Sequence, residues 1–362
     1  MAADLTRALQ PVVSSLVDDM RARLHDDDQR VTQWTTEYQE TKNALRTAMS
    51  FSEWEEDQLQ QAAASWVLTT VFVRFIEDNR LFGERWSMIS GTTEDARRTA
   101  RDNEDKFYAS NPDAGYRGYL QHVFAELGQV DATKGLVDKH AAFHIMEPSD
   151  AGARRIMDFW RAVDDEGELI HPVIYPDAGD PLSTRFLGDM YEEMSVHAQK
   201  KWALKQTPEF VEKFILQRTM VPALAERPLE GFTMIDPTCG SGHFLIGAYE
   251  LLLDRWAREA PARDAAWRAV EASKAIHGVD INPFAVSISK FRLMVQFMRA
   301  ADETRLNGQL PEPEFTVLSG DSLYWGPGEE LGGEDNLAYD EGRKATSTED
   351  PEMLKEVLAP GM

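Results

Sequence analysis

The sequence predicts an α/β protein: a parallel sheet preceded by an α-helical N-terminal domain. Three observations carry this expectation. Before Ile170, apolar residues recur at helical spacing. After Met220, short apolar runs alternate with amphipathic ones in the order β-α-β-α-β. Three of those short runs end on or just before an aspartate: Asp236, Asp280 and Asp321. A length of 362 residues allows two or three domains. We place them at 1–175 (helical), 183–325 (sheet-containing core) and 326–362 (acidic tail).

The helical part starts with DLTRALQPVVSSLVDDMRARL, which carries Pro11 near its start. Ser52 and Glu55 have the spacing of a capping box ahead of the next helix, which carries Trp66, Val67, Val71, Phe75 and Ile76 and ends near Asn79 to Gly83. The charged stretch TTEDARRTARDNEDKF has little to bury and reads as a surface helix or loop. YRGYLQHVFAEL and AGARRIMDFWRAV read as further helices. HPVIYPDAGDPLS, with three prolines and a glycine, marks a connection and the domain boundary.

Beyond it, Thr207 reads as an N-cap with Pro208 at the first helical position. Phe210, Val211, Phe214, Ile215 and Met220 supply the apolar face. FTMID is the first strand, and HFLIGAYELLLDRWARE the helix after it. PARDAAWRAVEASK is a second helix and AIHGVD a second strand. INPFAVSISKFRLMVQFMRAA is a long helix and EFTVLSGD a third strand. From Gly326 the chain is Gly- and acid-rich and reads as a flexible loop, with EDPEMLKEVLAP as one more short helix.

The formal net charge is -24, from 38 Lys+Arg against 62 Asp+Glu. Such a surface repels phosphate at long range, so a nucleic-acid partner needs a local basic groove or charge outside this chain. A single cysteine excludes an internal disulfide and argues against a cysteine-rich zinc site. No basic and apolar leader opens the chain, and its most apolar stretch, Ala62 to Ile76, is too short to span a bilayer. We expect a cytoplasmic protein with no membrane segment.

The turn PTCGSG after the first strand is the densest signal. Gly240 and Gly242 let the backbone approach a ligand closely, and a helix N-terminus follows with unpaired N–H groups. A phosphate-gripping P-loop needs Gly-Lys-Ser/Thr, which is absent. A dinucleotide fingerprint needs a third glycine, and Leu245 stands there. An acid inside the turn disfavours a pyrophosphate and suits a cation. S-adenosyl-L-methionine carries an ammonium and a sulfonium and no phosphate. Asp236 and the turn amides suit its amino-acid end, Asp280 its ribose hydroxyls, and Asp321 its adenine amino group beside Ser322 or Leu323. Phe284 or Pro283 would pack on the adenine ring. Cys239 reads as a small turn-filling residue, and His243 as a first-turn helix residue or cofactor neighbour.

At these residues a family resemblance becomes specific. DPTCGSGHFL resembles motif I of adenine-N6 DNA methyltransferases of the gamma arrangement. GVDINPFAVSISKFRL is similar to their second motif and LSGDSL to their third. RFLGDMYEEMSVHAQKKWALKQTPEFVEKFIL resembles the region preceding motif I, whose Thr-Pro pair caps a helix bordering the methionine end of the cofactor. The combination is most similar to PglX-type methyltransferases of BREX (type 2) phage-exclusion systems, with DISARM methyltransferases close to them. The resemblance runs from about Thr184 to Leu323, with weaker similarity in the helical part.

The resemblance implies a Rossmann-like S-adenosylmethionine-dependent methyltransferase core with an incomplete sheet, acting on adenine in duplex DNA. It implies cofactor contacts at Thr207, Asp236, Pro237, Thr238, Cys239, Gly240, Ser241, Gly242, Asp280, Ile281, Asp321 and Ser322. It also implies double-stranded DNA and other phage-defence proteins as partners. The family's catalytic signature is Asn or Asp, Pro, Pro, then Tyr or Phe, which accepts the amine hydrogens and stacks on a flipped base. The chain contains no Pro-Pro pair. Asn282-Pro283-Phe284 lies just past Asp280, where cofactor is expected. We therefore expect the front portion of a larger enzyme, ending before the catalytic motif and inactive alone. A non-catalytic cofactor- or partner-binding module, or a fragment of an RNA or protein methyltransferase, stays open as an alternative.

Overall fold

The computed structural model describes residues 2–174, 184–194, 207–308, 310–325 and 345–358. The chain divides into two compact units. One comprises 1–204 with the short stretch 305–308. The other comprises 205–304 and 309–362. The end of the connecting stretch HPVIYPDAGDPLS, most of the acidic tail and the last four residues lie outside the described residues.

The first unit is helical: α1 (Ala2–His25), α2 (Asp28–Asn43), α3 (Phe51–Asp78), α4 (Glu94–Ser110), α5 (Tyr116–Gly128), α6 (Asp150–Arg161) and α7 (Arg185–Met194). α3 is its central helix, because every residue from Ala62 to Ile76 is buried and most of them are apolar. Trp66 donates from Nε1 to the carbonyls of Phe143 and Met146, and Trp160 donates to Thr70 Oγ1 at 2.8 Å. α1 continues through Pro11, which sits inside the helix and not at its start. The capping box ahead of α3 lies two residues earlier than expected. Ser50 and Glu53 close it, and Glu55 instead faces His25 at 3.1 Å. The charged stretch after Gly91 is a full helix, α4. Thr93 caps it, and Glu104 is buried against Arg161.

Near the end of α3 lies a buried ion triad. Arg74 bonds Glu77 and Asp78 on its own helix, and all three side chains are fully enclosed. Glu77 also accepts the Ile89 N–H at 2.7 Å, and Asp78 accepts the Val173 N–H at 2.8 Å. One helix end thereby anchors two distant loops.

The second unit holds a three-stranded, wholly parallel sheet in the order β1 (Met234–Asp236), β2 (Ile276–Asp280), β3 (Thr316–Ser319). Asp236 pairs with Gly278, and Asp280 with Ser319. Parallel strands need helical crossovers, and the sequence supplies them. These are α10 (His243–Glu259) and α11 (Ala265–Lys274) between β1 and β2, and α12 (Pro283–Ala300) between β2 and β3. Alternation along the strands splits the core in two. Ile276 and Val317 join Leu245, Tyr249, Leu293 and Phe297 on one side. Ile235, Val279 and Leu318 face the other side, where they meet Trp325 of α13 (Ser322–Trp325) and Leu354 and Val357 of α14 (Pro351–Val357).

Two helices precede β1: α8 (Glu209–Arg218) and α9 (Met220–Glu226). Here the expectation needs correcting. Pro208 itself is the N-cap, Thr207 lies one residue outside, and no side chain caps the helix. Leu216 and Met220 are the buried apolar residues, whereas Phe210, Phe214 and Ile215 are exposed. Glu212 turns inward, so the helix seats a different stripe from the one that apolarity alone selects. Among the described residues, no helix is long and apolar enough to cross a membrane.

Candidate cofactor site at the carboxyl rim of the sheet

All three strands run the same way, so their last residues share one rim. Asp236 ends β1 and Asp280 ends β2. Asp321 follows β3 by one residue past Gly320. In open parallel sheets this rim is where ligands bind.

The loop from Pro237 to Gly242 is shaped by its glycines. Gly240 has φ +53 and Gly242 φ +83, both left-handed, and Gly242 is the N-cap of α10. A Cβ on Gly242 would lie 2.8 Å from Ser289 Oγ. The loop carbonyls are drawn inward. Cys239 O accepts the Gly242 N–H at 2.9 Å, Gly240 O accepts Ser289 Oγ–H at 2.7 Å, and Ser241 O accepts Arg292 Nη1–H at 2.5 Å. α12 holds the Gly240 and Ser241 carbonyls from behind, while the N–H groups of Thr238, Cys239, Gly240 and Gly242 are already bonded, to Asp236, Val279 O, Asp280 and Cys239 O. α10 begins there with no side-chain cap.

Each acid has a defined setting. Asp280 Oδ2 accepts the Gly240 N–H at 2.8 Å, and Oδ1 accepts the Asn282 N–H at 2.9 Å. Burial pushes the Asp280 carboxyl above its ordinary value, against those two N–H groups. Burial also raises the Asp236 carboxyl, and the negative charge of Asp280 raises it further, while the Thr238 N–H on Oδ1 opposes both. Two desolvated carboxylates thus repel each other across neighbouring strand ends. Asp321 Oδ1 accepts the N–H groups of Leu323 at 2.9 Å and Tyr324 at 3.2 Å and so starts α13.

The other expected residues are Pro237 to Gly242, Ile281 and Ser322, which adjoin the rim acids in sequence, and Thr207, which precedes α8. Pro237 and Thr238 are exposed at the loop tip, and Ser322 and Thr207 are half-buried. The Cys239 thiol is buried inward, and burial followed by Asp280 and Asp236 pushes it well above the ordinary thiol range. It fills the turn, and its burial disfavours the thiolate. Ser241 is buried as well. Pro283 and Phe284 are buried within α12, so the apolar side chains exposed beside the acids are Ile281 and Leu323. Asn282 is buried and caps α12, its Oδ1 accepting the Phe284 N–H at 3.0 Å.

Residues that pattern reading missed sit behind the loop. Ser289 and Arg292 share one face of α12 at i, i+3 spacing, which their neighbours in sequence do not advertise. Glu212 of α8 lies 4.0 Å from His243, and burial raises its carboxyl while Arg292 lowers it.

Residues 183–322 match the N-6 DNA Methylase family. More particularly, the chain is 39% identical over 367 residues to the "Adenine-specific methyltransferase PglX" of Streptomyces coelicolor, an alignment covering 99% of this chain and 30% of that protein. A stretch of 77 residues is 35% identical to the protein of the same name from Lacticaseibacillus casei, covering 21% of this chain and 6% of that one. The resemblance to PglX-type methyltransferases read from the sequence is borne out along nearly the whole chain. The chain spans 30% of the length of the first of these relatives.

Proposed function

We propose that the sheet-containing unit holds S-adenosyl-L-methionine for a site-specific DNA adenine-N6 methyltransferase of a BREX-type phage-defence system. The observation that carries this is the desolvated pair Asp236 and Asp280 beside a loop whose carbonyls are withdrawn. Two buried like charges are costly unless a positive ligand joins them. An incomplete Rossmann-like core of this kind fits the parallel order β1-β2-β3.

The residues present fit the cofactor. Asp236, Thr238 and the Ser241 N–H would hold its ammonium and carboxylate, with Thr207 bordering them. Asp280 keeps acceptor capacity beyond its two backbone bonds for the ribose hydroxyls. Ile281 and Leu323 offer apolar flanks to a planar base, and Asp321 with Ser322 would take the adenine amino edge. When bound, the cofactor supplies an electrophilic methyl group. The protein's contribution is to orient that group and keep water away from it.

The substrate we propose is adenine in duplex DNA, with other defence proteins as partners. Methyl transfer needs a carboxamide or carboxylate acceptor for the adenine amine. The one Asn-Pro-aromatic sequence here spends its carboxamide on capping α12. We therefore read this chain as donor-holding and not self-sufficient for transfer. The test is calorimetry of the chain with S-adenosylmethionine, then of Asp236→Ala and Asp280→Ala. Micromolar binding lost in both variants supports the reading. A folded chain that takes up no ligand refutes it.

A further inference from the structure

Behind the third acid lies a carboxylate that the cofactor reading does not use. Glu349 is 4% exposed, an unusual burial for a glutamate. It precedes α14, well downstream of β3 in the sequence. Its Oε1 accepts the Trp325 Nε1–H at 3.1 Å and faces the Asp321 N–H at 3.4 Å. Its Oε2 accepts the Thr346 N–H at 2.8 Å. Trp325 is itself buried, in the cluster that α14 forms against Val279.

The same segment presses on the turn before Asp321. A Cβ on Gly320 would lie 2.7 Å from Leu354 Cδ1, so α14 touches the backbone there with no room to spare. On its other side Gly320 donates to the Asp280 carbonyl at 2.9 Å. The Gly320-Asp321 turn is thus held between β2 and the 345–358 segment. Asp321 Oδ1 is committed to starting α13, which leaves Oδ2 as the atom directed by that turn.

We propose that Glu349 is a positioning residue for base recognition. It fixes the Asp321 turn so that the Asp321 carboxylate selects an adenine amino group over a carbonyl at the same ring position. This rests on the cofactor reading above and adds to it the device that sets base selectivity. Glu349 does not touch the ligand. It acts through the backbone N–H of Asp321, while the Trp325 Nε1–H and the Thr346 N–H hold the buried carboxylate in place.

The test compares binding of S-adenosylhomocysteine and S-inosylhomocysteine to the full chain. Asp321→Asn should cut the preference for the adenosyl ligand about tenfold, as expected for a lost bond to a charged acceptor. Glu349→Gln, which places an amide N–H against existing donors, should cut it similarly. Trp325→Phe keeps the Asp321 contact and should leave the preference intact even if stability falls. Normal preference in a folded Glu349→Gln, with loss in Asp321→Asn, overturns the role of Glu349 alone. Normal preference in Asp321→Asn overturns the base-recognition reading as well. Hydrogen exchange on the unaltered chain needs no variant. S-adenosylhomocysteine should slow exchange in 320–325 and in 346–350 together, and protection of the first without the second contradicts the proposal.

Discussion

The Gly240 N–H donates to Asp280 Oδ2 at 2.8 Å, so the loop after β1 is tied to the carboxylate that ends β2. This bond joins two of the three rim acids' neighbourhoods into one object. Asp280→Ala removes the acceptor for both Gly240 and Asn282. We expect a loss of about 1–3 kcal/mol in stability, the usual cost of leaving enclosed donors unpaired. Urea denaturation measures it, and an unchanged midpoint would show that the tie is dispensable.

Asp236→Asn should act in the opposite direction on stability. Asparagine keeps an acceptor for Thr238 and removes the charge that Asp280 repels. The empty chain should melt at a higher temperature than the parent, while S-adenosylmethionine binding falls at least tenfold. Such a trade of stability against function is common at binding sites. A variant that loses both, or neither, contradicts the account.

The pH dependence follows from the same pair. Both aspartates have folded-state pKa values above the unfolded value of about 3.9. Between those values the folded chain binds more protons than the unfolded one, so its stability falls as pH rises through that interval. Above it the repulsion is fully present. Ligand binding has the reverse sign, because a cation needs the ionised acids. The dissociation constant of S-adenosylmethionine should rise as pH drops through the raised pKa values, and Asp236→Asn should flatten that profile.

The loop itself separates conformation from contact. Gly240→Ala meets no atom within 4 Å and should cost only the left-handed backbone, about 1–2 kcal/mol. Gly242→Ala adds a clash with Ser289 and should cost more. Thermal melts of the two variants, ranked in that order, check it.

In the helical unit, Arg74→Leu strands Glu77 and Asp78 without their cation. Burial already raises both carboxyls, with Arg74 as the main opposing influence. A loss of about 3–5 kcal/mol is expected. Chemical denaturation of the full chain reads it.

How far the sequence could be read is clear from particular residues. The three strands, the crossover helices and the common rim of Asp236, Asp280 and Asp321 were legible, because alternation and turn residues report directly on parallel β-α units. α8 was not. Its register turns on Glu212 and Leu216 facing α10, and the conspicuous Phe210 and Phe214 point elsewhere. The supports behind the loop were also invisible. Ser289, Arg292 and Glu349 act through contacts 24 to 51 residues away in sequence, which no local pattern encodes. Capping was legible in kind but was placed at Ser52 where Ser50 is the cap, since Ser50 and Ser52 each have a glutamate three residues on.

A crystal structure of the chain grown with S-adenosylmethionine tests the central claim most directly. The account predicts the ligand's ammonium at Asp236, its ribose at Asp280 and its adenine amino group at Asp321. A ligand lodged away from that rim, or one bound with its base toward Asp236, would contradict it.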